Sequence, residues 1–540
     1  MNIKPSYTPL SQRRRVLAAT LLAAMLASTS AIADTLTWTG VTTEVWGTGT
    51  NWSTSTAPTS ADDLTILGPS NAAGALTINI NAAAAANSIN FTNTAATTLS
   101  NTTSGANQTL TLGSGGLTTG TGAVTIGSST ANQNINIALS ANQAWSVGSG
   151  NMTVNNVVSG TGIALTKNGA GTLSLLGANT FNGGITVNAG IADIQNNAAL
   201  GTGTVTLAGG TLQASGAADR TITNNIVAQT GTTSTLTTSG RNLTINGNIS
   251  GSGAINRATP TTATGVILGG DNSGYTGTFT QASGSANAVV RFTNANAGSA
   301  GASWVFQNTT AGRTTLDFAG TGTISFGSLT GGGHIQANVS GNKTISAGAL
   351  GLNDTFSGII ANNLATLALT KVGTGTLTLS GANTYTGATT VNAGTLALGA
   401  ANRIADTSAM VLAGGTFATG GFSETLGTLT LSSNSTIDFG SGTSALVFSD
   451  SSAISWSGTL TLTNFDIGTD SLRFGTSVSA LTVAQLSEIS LAGYTASLDS
   501  SGFVTFSAIP EPSTYAVIVG IATLGGVVTS RRYRAKRAQA

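Results

Sequence analysis

The sequence has no cysteine, and only 7% of its 540 residues are charged. The missing cysteines exclude disulfides and thiolate metal sites. The usual charged fraction is ~25%, so an ordinary solvated surface of lysine, arginine and glutamate is excluded as well. Histidine occurs once, as His334 in Gly331-Gly332-Gly333-His334, with no motif around it. It reads as a corner or surface residue rather than a ligand or base. Proline is scarce at 7 residues, and aromatics make up 5%. Little charge and few aromatics would fit a disordered chain, but disorder goes with high net charge and few β-branched residues. Here the formal net charge is +1, and Thr, Val and Ile recur in alternation with polar residues. Ordered β structure is the reading.

The charge deficit has a physical cause if the chain is a parallel coil. Equivalent positions of successive turns then lie ~4.8 Å apart, where two like charges repel by roughly 1 kcal/mol even in water. Thr, Ser, Asn and Gly stack without that cost, and Asn can form amide ladders. The scattered charges between residues 166 and 419, Asp193, Arg257, Lys343 and Asp354 among them, read as isolated solubilising groups on corners.

What is present is repetition. Residues 369–398 read LTKVGTGTLTLSGANTYTGATTVNAGTLAL. Thr376-Leu377-Thr378-Leu379 alternates with a period of two, as a half-buried strand does. Gly381-Ala382-Asn383 breaks the run, Thr389-Thr390-Val391 extends again, Asn392-Ala393-Gly394 turns, and 395–398 is a third extended piece. Three short strands with tight corners read as one rung of a coil. Residues 165–194 repeat the sentence with about 18 of 30 positions identical, including the pairs Lys167/Lys371, Asn179/Asn383 and Val187/Val391. A worn copy lies at 268–277. Self-similarity of this kind indicates stacked supersecondary units. These phrases resemble the autotransporter-associated β-strand repeat. The resemblance implies an all-β, right-handed parallel β-helix (solenoid) with end caps, in an exported, surface-located protein. At about 20–25 residues per rung the chain would hold roughly 20 rungs.

The two ends differ from this body. Residues 1–33 carry Lys4 and Arg13-Arg14-Arg15, then an apolar run, then Ala31-Ile32-Ala33 as an A-x-A site, the order of a signal peptide cut before Asp34. Residues 508–540 begin with Pro510-Glu511-Pro512 and continue through about 18 uncharged residues, enough to cross a bilayer as a transmembrane helix. They close on a basic cluster that includes Arg531 and Arg532. This order resembles the PEP-CTERM sorting signal, which implies an exosortase-type membrane transpeptidase as partner, a Gram-negative source and a link to exopolysaccharide. The chain would sit in the inner membrane before processing and at the cell surface or outside it afterwards. Between the ends, residues 34–165 hold Trp38, Trp46 and Trp52 in a cap followed by coil, and 166–419 hold the repeats. Residues 420–507 read as a C-terminal β cap, in which Thr482 and Gln485 form a capping box for a short helix. A sugar-stacking platform is the alternative for the tryptophans. A run of alanines at 82–86 is the one helix-like phrase before the repeats and is too short to assign.

No catalytic constellation emerges, and no metal or cofactor is expected. The nearest acid pairs are Asp62-Asp63 and Asp466/Asp470. Neighbours on a strand face opposite ways, so the first pair reads as a turn rather than an acid–base couple. Nucleic acid is disfavoured, because outside residues 1–33 and 511–540 about 10 Lys and Arg stand against about 17 Asp and Glu. The leading reading is a non-enzymatic structural protein of the cell surface or extracellular matrix. A polysaccharide-acting β-helical enzyme and an adhesin are the alternatives.

Overall fold

The computed structural model describes residues 33–40, 44–68, 74–102, 106–130, 133–258, 264–282 and 288–509, with Arg531, Arg532 and Arg534. Residues 1–32 of the expected signal peptide 1–33, the Pro510-Glu511-Pro512 motif and the span expected to cross a membrane lie outside the described residues. Among the described residues no helix is long and apolar enough to cross a membrane. The chain divides into two compact units, one of residues 1–229 with 233–235, the other of 230–232 with 236–540.

Both units are parallel β-solenoids. In the first, Thr35–Trp38 pairs with Asp63–Ile66, which pairs with Ala84–Phe91, and so on through Leu165–Asn168, Ile185–Val187 and Val205–Leu207. A second ladder passes from Leu76–Asn79 through Thr97–Ser100 to Thr172–Leu175 and Ile191–Ile194. In the second unit the ladder through Lys343–Ala347, Leu367–Lys371, Thr389–Val391 and Met410–Ala413 is parallel throughout. Parallel pairing continues beyond residue 420, through Ala445–Phe448 onto Ser471–Phe474 and Leu460–Thr463 onto Ile489–Ser490. The antiparallel hairpin Tyr494–Leu498/Val504–Ala508 then ends it. Thr482 and Gln485 form the expected reciprocal capping box of helix Val483–Glu488.

The strands of the repeat lie where the alternation puts them, at Thr376–Leu379, Thr389–Val391 and Thr395–Leu398. They are not one rung, however. Thr376 stands opposite Thr395, so the first and third strands are the same face of the coil one turn of 19 residues apart. Leu369 likewise stands opposite Thr389. The other copy does the same, with Thr172 opposite Ile191 and Leu165 opposite Ile185. The 30-residue sentence is therefore about one and a half turns, because its corners are so short that two strands and their bends close a turn. Other turns are longer, as where Val124 meets Met152 after 28 residues.

The alanine run is also not a helix. Ala84 begins strand Ala84–Phe91, with Ala84 opposite Leu110 and Ala86 opposite Leu112. Both alanines face the core. Pairing on a stacked ladder overrides the helix preference of five residues.

Inward positions are apolar and closed to solvent, Leu377, Leu379, Val391 and Leu396 among them. In the second unit the core also takes Trp304, ringed by Tyr275, Phe279, Phe292, Phe306 and Phe326 with centroids 5.1–6.4 Å away. At the start of the first unit Trp38, Trp46 and Trp52 are buried and meet edge to face at 5.1 and 5.2 Å. Residues 51–53 lie along the edge of Thr35–Trp38, with Thr39 N donating to Asn51 O at 2.8 Å and Ser53 N to Thr37 O at 3.0 Å. An edge that would otherwise template another strand is thereby covered. The buried rings leave no open face for a sugar.

The pleat gives a direct test. Leu379→Asp places an unpaired carboxylate in the core and is expected to destabilise by several kcal/mol, roughly 3–5. Thr378→Ser, on the outward face, is expected to change stability by less than about 0.5 kcal/mol. Equal tolerance in denaturant unfolding would show the pleat inverted.

Candidate functional site

Buried asparagines bridge the corners, where the backbone leaves its ladders. Asn383 is buried. Its Oδ1 accepts from Ile360 N at 2.8 Å, one turn back, and its Nδ2 donates to Arg403 O at 2.9 Å, one turn on. Asn179, its counterpart in the other copy, accepts from Val158 N at 2.7 Å and donates to Ala199 O at 2.6 Å. Asn272 of the worn copy does the same with Ile249 N at 2.7 Å and Ala297 O at 2.9 Å. One amide thus satisfies corner groups of the turn before and the turn after. The expected amide ladders, side chain on side chain, occur on the surface instead, as Asn188 on Asn168 and Asn363 on Asn338.

The charges are not all solubilising groups. Lys167, Lys343, Lys371 and Arg257 have no exposed surface, and Asp193 and Asp354 are buried too. Lys371 Nζ donates to the carbonyls of Val372 and Gly373 at 2.8 Å each and of Ala393 at 3.3 Å. Lys167 Nζ donates to Asn168 at 2.9, Gly169 at 2.8 and Ala189 at 3.0 Å. Three donors meet three carbonyls. Gly169 and Gly373 have φ of +77° and +70°, a backbone that turns the carbonyl inward and suits glycine. Burial pushes the Lys167 ammonium down to about 8 and the Arg257 guanidinium to about 10. Arg257 is held by Thr238 Oγ1 at 3.0 Å and Thr264 O at 2.8 Å. Asp193 accepts from Gln195 Nε2 and Ser215 Oγ at 2.9 Å each, and Asp354 from Ser328 Oγ at 2.9 Å and Leu329 N at 3.0 Å. The signal for the lysines was in the sequence, since a charge repeated at one position of a charge-poor repeat is not there for solubility.

One buried acid has no such match. Glu424 is 1% exposed; its Oε2 accepts from Arg403 N at 2.7 Å, and its Oε1 has no partner. The Arg403 guanidinium is turned away onto Ala401 O and Ser380 O. Burial pushes the Glu424 carboxyl up to about 7, aided by Asp406 and opposed by the N–H groups of Arg403, Ile404 and Thr425. Nearby Tyr385, fully buried, joins a hydroxyl chain through Thr389 at 2.8 Å to Ser408 at 2.9 Å.

Asp62 and Asp63 do not share a site: Asp62 closes a turn, accepting from Thr59 N at 2.7 Å, while Asp63 accepts from Asn87 and Ser88. Asp470 Oδ1 accepts from Ser444 N, and its Oδ2 from Asp466 N at 2.8 Å, which makes that pair a turn as well. His334 is not on a corner; it opens strand His334–Gln336, half-buried. Asp34 leads into the first strand, its N 3.3 Å from Asp62 Oδ1. Ala33 is exposed, as are the helical Arg531 and Arg532. Ala31, Pro510, Glu511 and Pro512 lie outside the described residues. Among the described residues no group of three acids or histidines is placed to hold a metal ion.

These features define a parallel β-solenoid of stacked repeats, with its polar interior given to holding turn on turn. Residues 165–191 and 369–398 match the family described as passenger-associated-transport-repeat. The chain is similar to the adhesin BmaC autotransporter of Brucella suis biovar 1 (strain 1330), 31% identical over 299 residues. That stretch is 48% of this chain and 8% of the relative, so the chain spans less than a tenth of the length of the curated relative it matches. No solved structure matches.

Glu424 makes stability depend on pH. Its folded value of about 7 stands above the ordinary 4.5. Below 4.5 both states are protonated and the carboxyl costs nothing. As pH rises towards 7 the unfolded state ionises first, so stability falls, and it stays reduced above 7. Glu424→Gln is expected to leave the melting temperature unchanged at pH 4 and to raise stability at pH 8 by up to about 3 kcal/mol. Equal effects at both pH values would refute a buried, uncompensated acid.

Proposed function

We propose that the chain is an exported, surface-located β-solenoid whose role is structural and adhesive rather than catalytic. The observation that carries this reading is that the passenger-type repeats form turns of the coil in both units. Their lysines and asparagines, the side chains a site could have used, are consumed by the coil's own backbone. The matched relative is called an adhesin, which favours an adhesive role here. Right-handed winding is part of the proposal, since parallel crossovers overwhelmingly take that hand.

The route is read from the ends. Signal peptidase would cut between Ala33 and Asp34. The new ammonium of Asp34 would then stand against the Asp62 carboxylate, which Asp34 N already approaches. An exosortase-type transpeptidase would read Pro510-Glu511-Pro512 while the basic cluster with Arg531 and Arg532 stays cytoplasmic. The two prolines favour extended backbone and keep the segment open to an enzyme. The expected setting is an exopolysaccharide matrix.

Intact-mass measurement on protein shaved from the cell surface tests this. It is expected to find a chain beginning at Asp34 and ending near residues 510–512, and Glu511→Ala is expected to trap a membrane-bound form that keeps Arg531 and Arg532. Surface protein that still carries Ala540 would contradict processing, and its absence from the surface would contradict the whole reading.

A further inference from the structure

The outward face of one sheet in the second unit carries an unexplained polar cluster. Strands Ala288–Phe292, Thr314–Leu316, His334–Gln336 and Ile359–Ala361 are stacked in parallel there. Leu316 points into the core, so Thr315 points out, as do Arg313 and Asp317 flanking the strand. Thr314 stands opposite Ile335, which places Arg313 beside His334. Nine buried side-chain nitrogen or oxygen atoms lack a partner among the described residues. Four of them fall on these neighbours: Arg313 Nε, Thr315 Oγ1, Asp317 Oδ1 and His334 Nε2. Thr315 has no exposed surface although it faces outward.

Buried polar groups are nearly always paired, and each orphan calls for an explanation. Four side by side call for a common one. Elsewhere the coil matches buried groups closely, down to three carbonyls for one ammonium, although five other atoms, Glu424 Oε1 among them, also lack a partner. Here it leaves a guanidinium N–H that can only donate, a carboxylate oxygen that can only accept, a hydroxyl that does both, and an imidazole nitrogen. Burial pushes the His334 imidazole down, so the ring is neutral at pH 7.

We propose that this face is a binding site for a neutral oligosaccharide laid along strand Thr314–Leu316. Donors and acceptors are mixed along it, and a sugar hydroxyl is itself both donor and acceptor. A phosphate or sulfate could not donate to the Asp317 carboxylate, as a sugar hydroxyl can. Residues 313–317 span about 13 Å, room for two to three sugar units. Exposed Arg291 and half-buried Gln336, whose Nε2 donates to Asn338 Oδ1 at 2.7 Å, stand in register on either side of Thr315 and must swing aside for a ligand to reach its hydroxyl. Ile359, in register with His334 and 37% exposed, offers an apolar edge for a sugar's C–H face. The proposal names a ligand class for the adhesive role above, but it is tested on purified protein and so stands or falls apart from the export route.

The test is binding of full-length purified protein to neutral hexasaccharides of glucose, galactose and mannose, with uronate hexasaccharides as a second arm. Thr315→Val keeps the shape and removes the hydroxyl. It is expected to weaken binding of the preferred neutral sugar at least tenfold while leaving the melting temperature unchanged or raised, because an orphan hydroxyl stabilises nothing. His334→Phe is expected to weaken the same sugar. A melting temperature lowered by Thr315→Val would show a hydroxyl holding a buried water and would overturn the proposal. Preference for uronates, no binding by the wild type, or undiminished binding by Thr315→Val would overturn it as well.

Discussion

Every turn of this coil must satisfy its backbone polar groups from the turn before it and the turn after it. Along the strands the parallel ladders do so. At the corners the ladders stop, and N–H and C=O groups there are turned away from solvent. An unmet group costs on the order of 1–3 kcal/mol, which repeated at every corner would exceed the stability of a typical domain. The asparagines answer this need. Asn179, Asn272 and Asn383 each take an N–H from one neighbouring turn and give to a carbonyl of the other. Lys167 and Lys371 do the same for inward carbonyls.

Composition follows from that constraint. Stacking equivalent residues turn on turn disfavours runs of like charge, so charge is rare, and several of the charges that do occur are buried and used. The ammonium groups sit singly among carbonyls rather than in ion pairs. That arrangement stabilises the corner without requiring a matching acid on the next turn. Glu424 departs from the pattern: an acid without a cation, kept close to neutral by its surroundings. Among the described residues, chemistry-bearing side chains are thus either absorbed by the coil or, as around Thr315, left facing out of it.

Much of the fold was legible in the sequence. The alternation at 376–379 fixed which leucines face in, and Thr482 with Gln485 announced the short helix. What was not legible is the length of a turn. The repeat has 30 residues and the turn has 19 or 20, because sequence similarity records the corner and its flanks together, not the rise of the coil. The alanines at 84–86 look helical until the ladder opposite them is known. Of the buried charges, Lys167 and Lys371 were visible as a repeated charge, whereas Arg257 and Glu424 carry no repeat and no motif. The outward cluster at Arg313, Thr315, Asp317 and His334 could not have been found from spacing alone, since His334 joins it only through the register of adjacent turns.

The coil depends on corner amides being held by asparagine side chains as firmly as strand amides are held by their ladders. Native-state hydrogen exchange at Val158, Ile249 and Ile360 tests this most directly. Their N–H groups, which donate to Asn179, Asn272 and Asn383, are expected to exchange as slowly as those in the middle of strands such as Thr376–Leu379, at rates set by large-scale unfolding. Exchange at the rate of exposed turns would show that the asparagines do not hold the corners and would contradict the account.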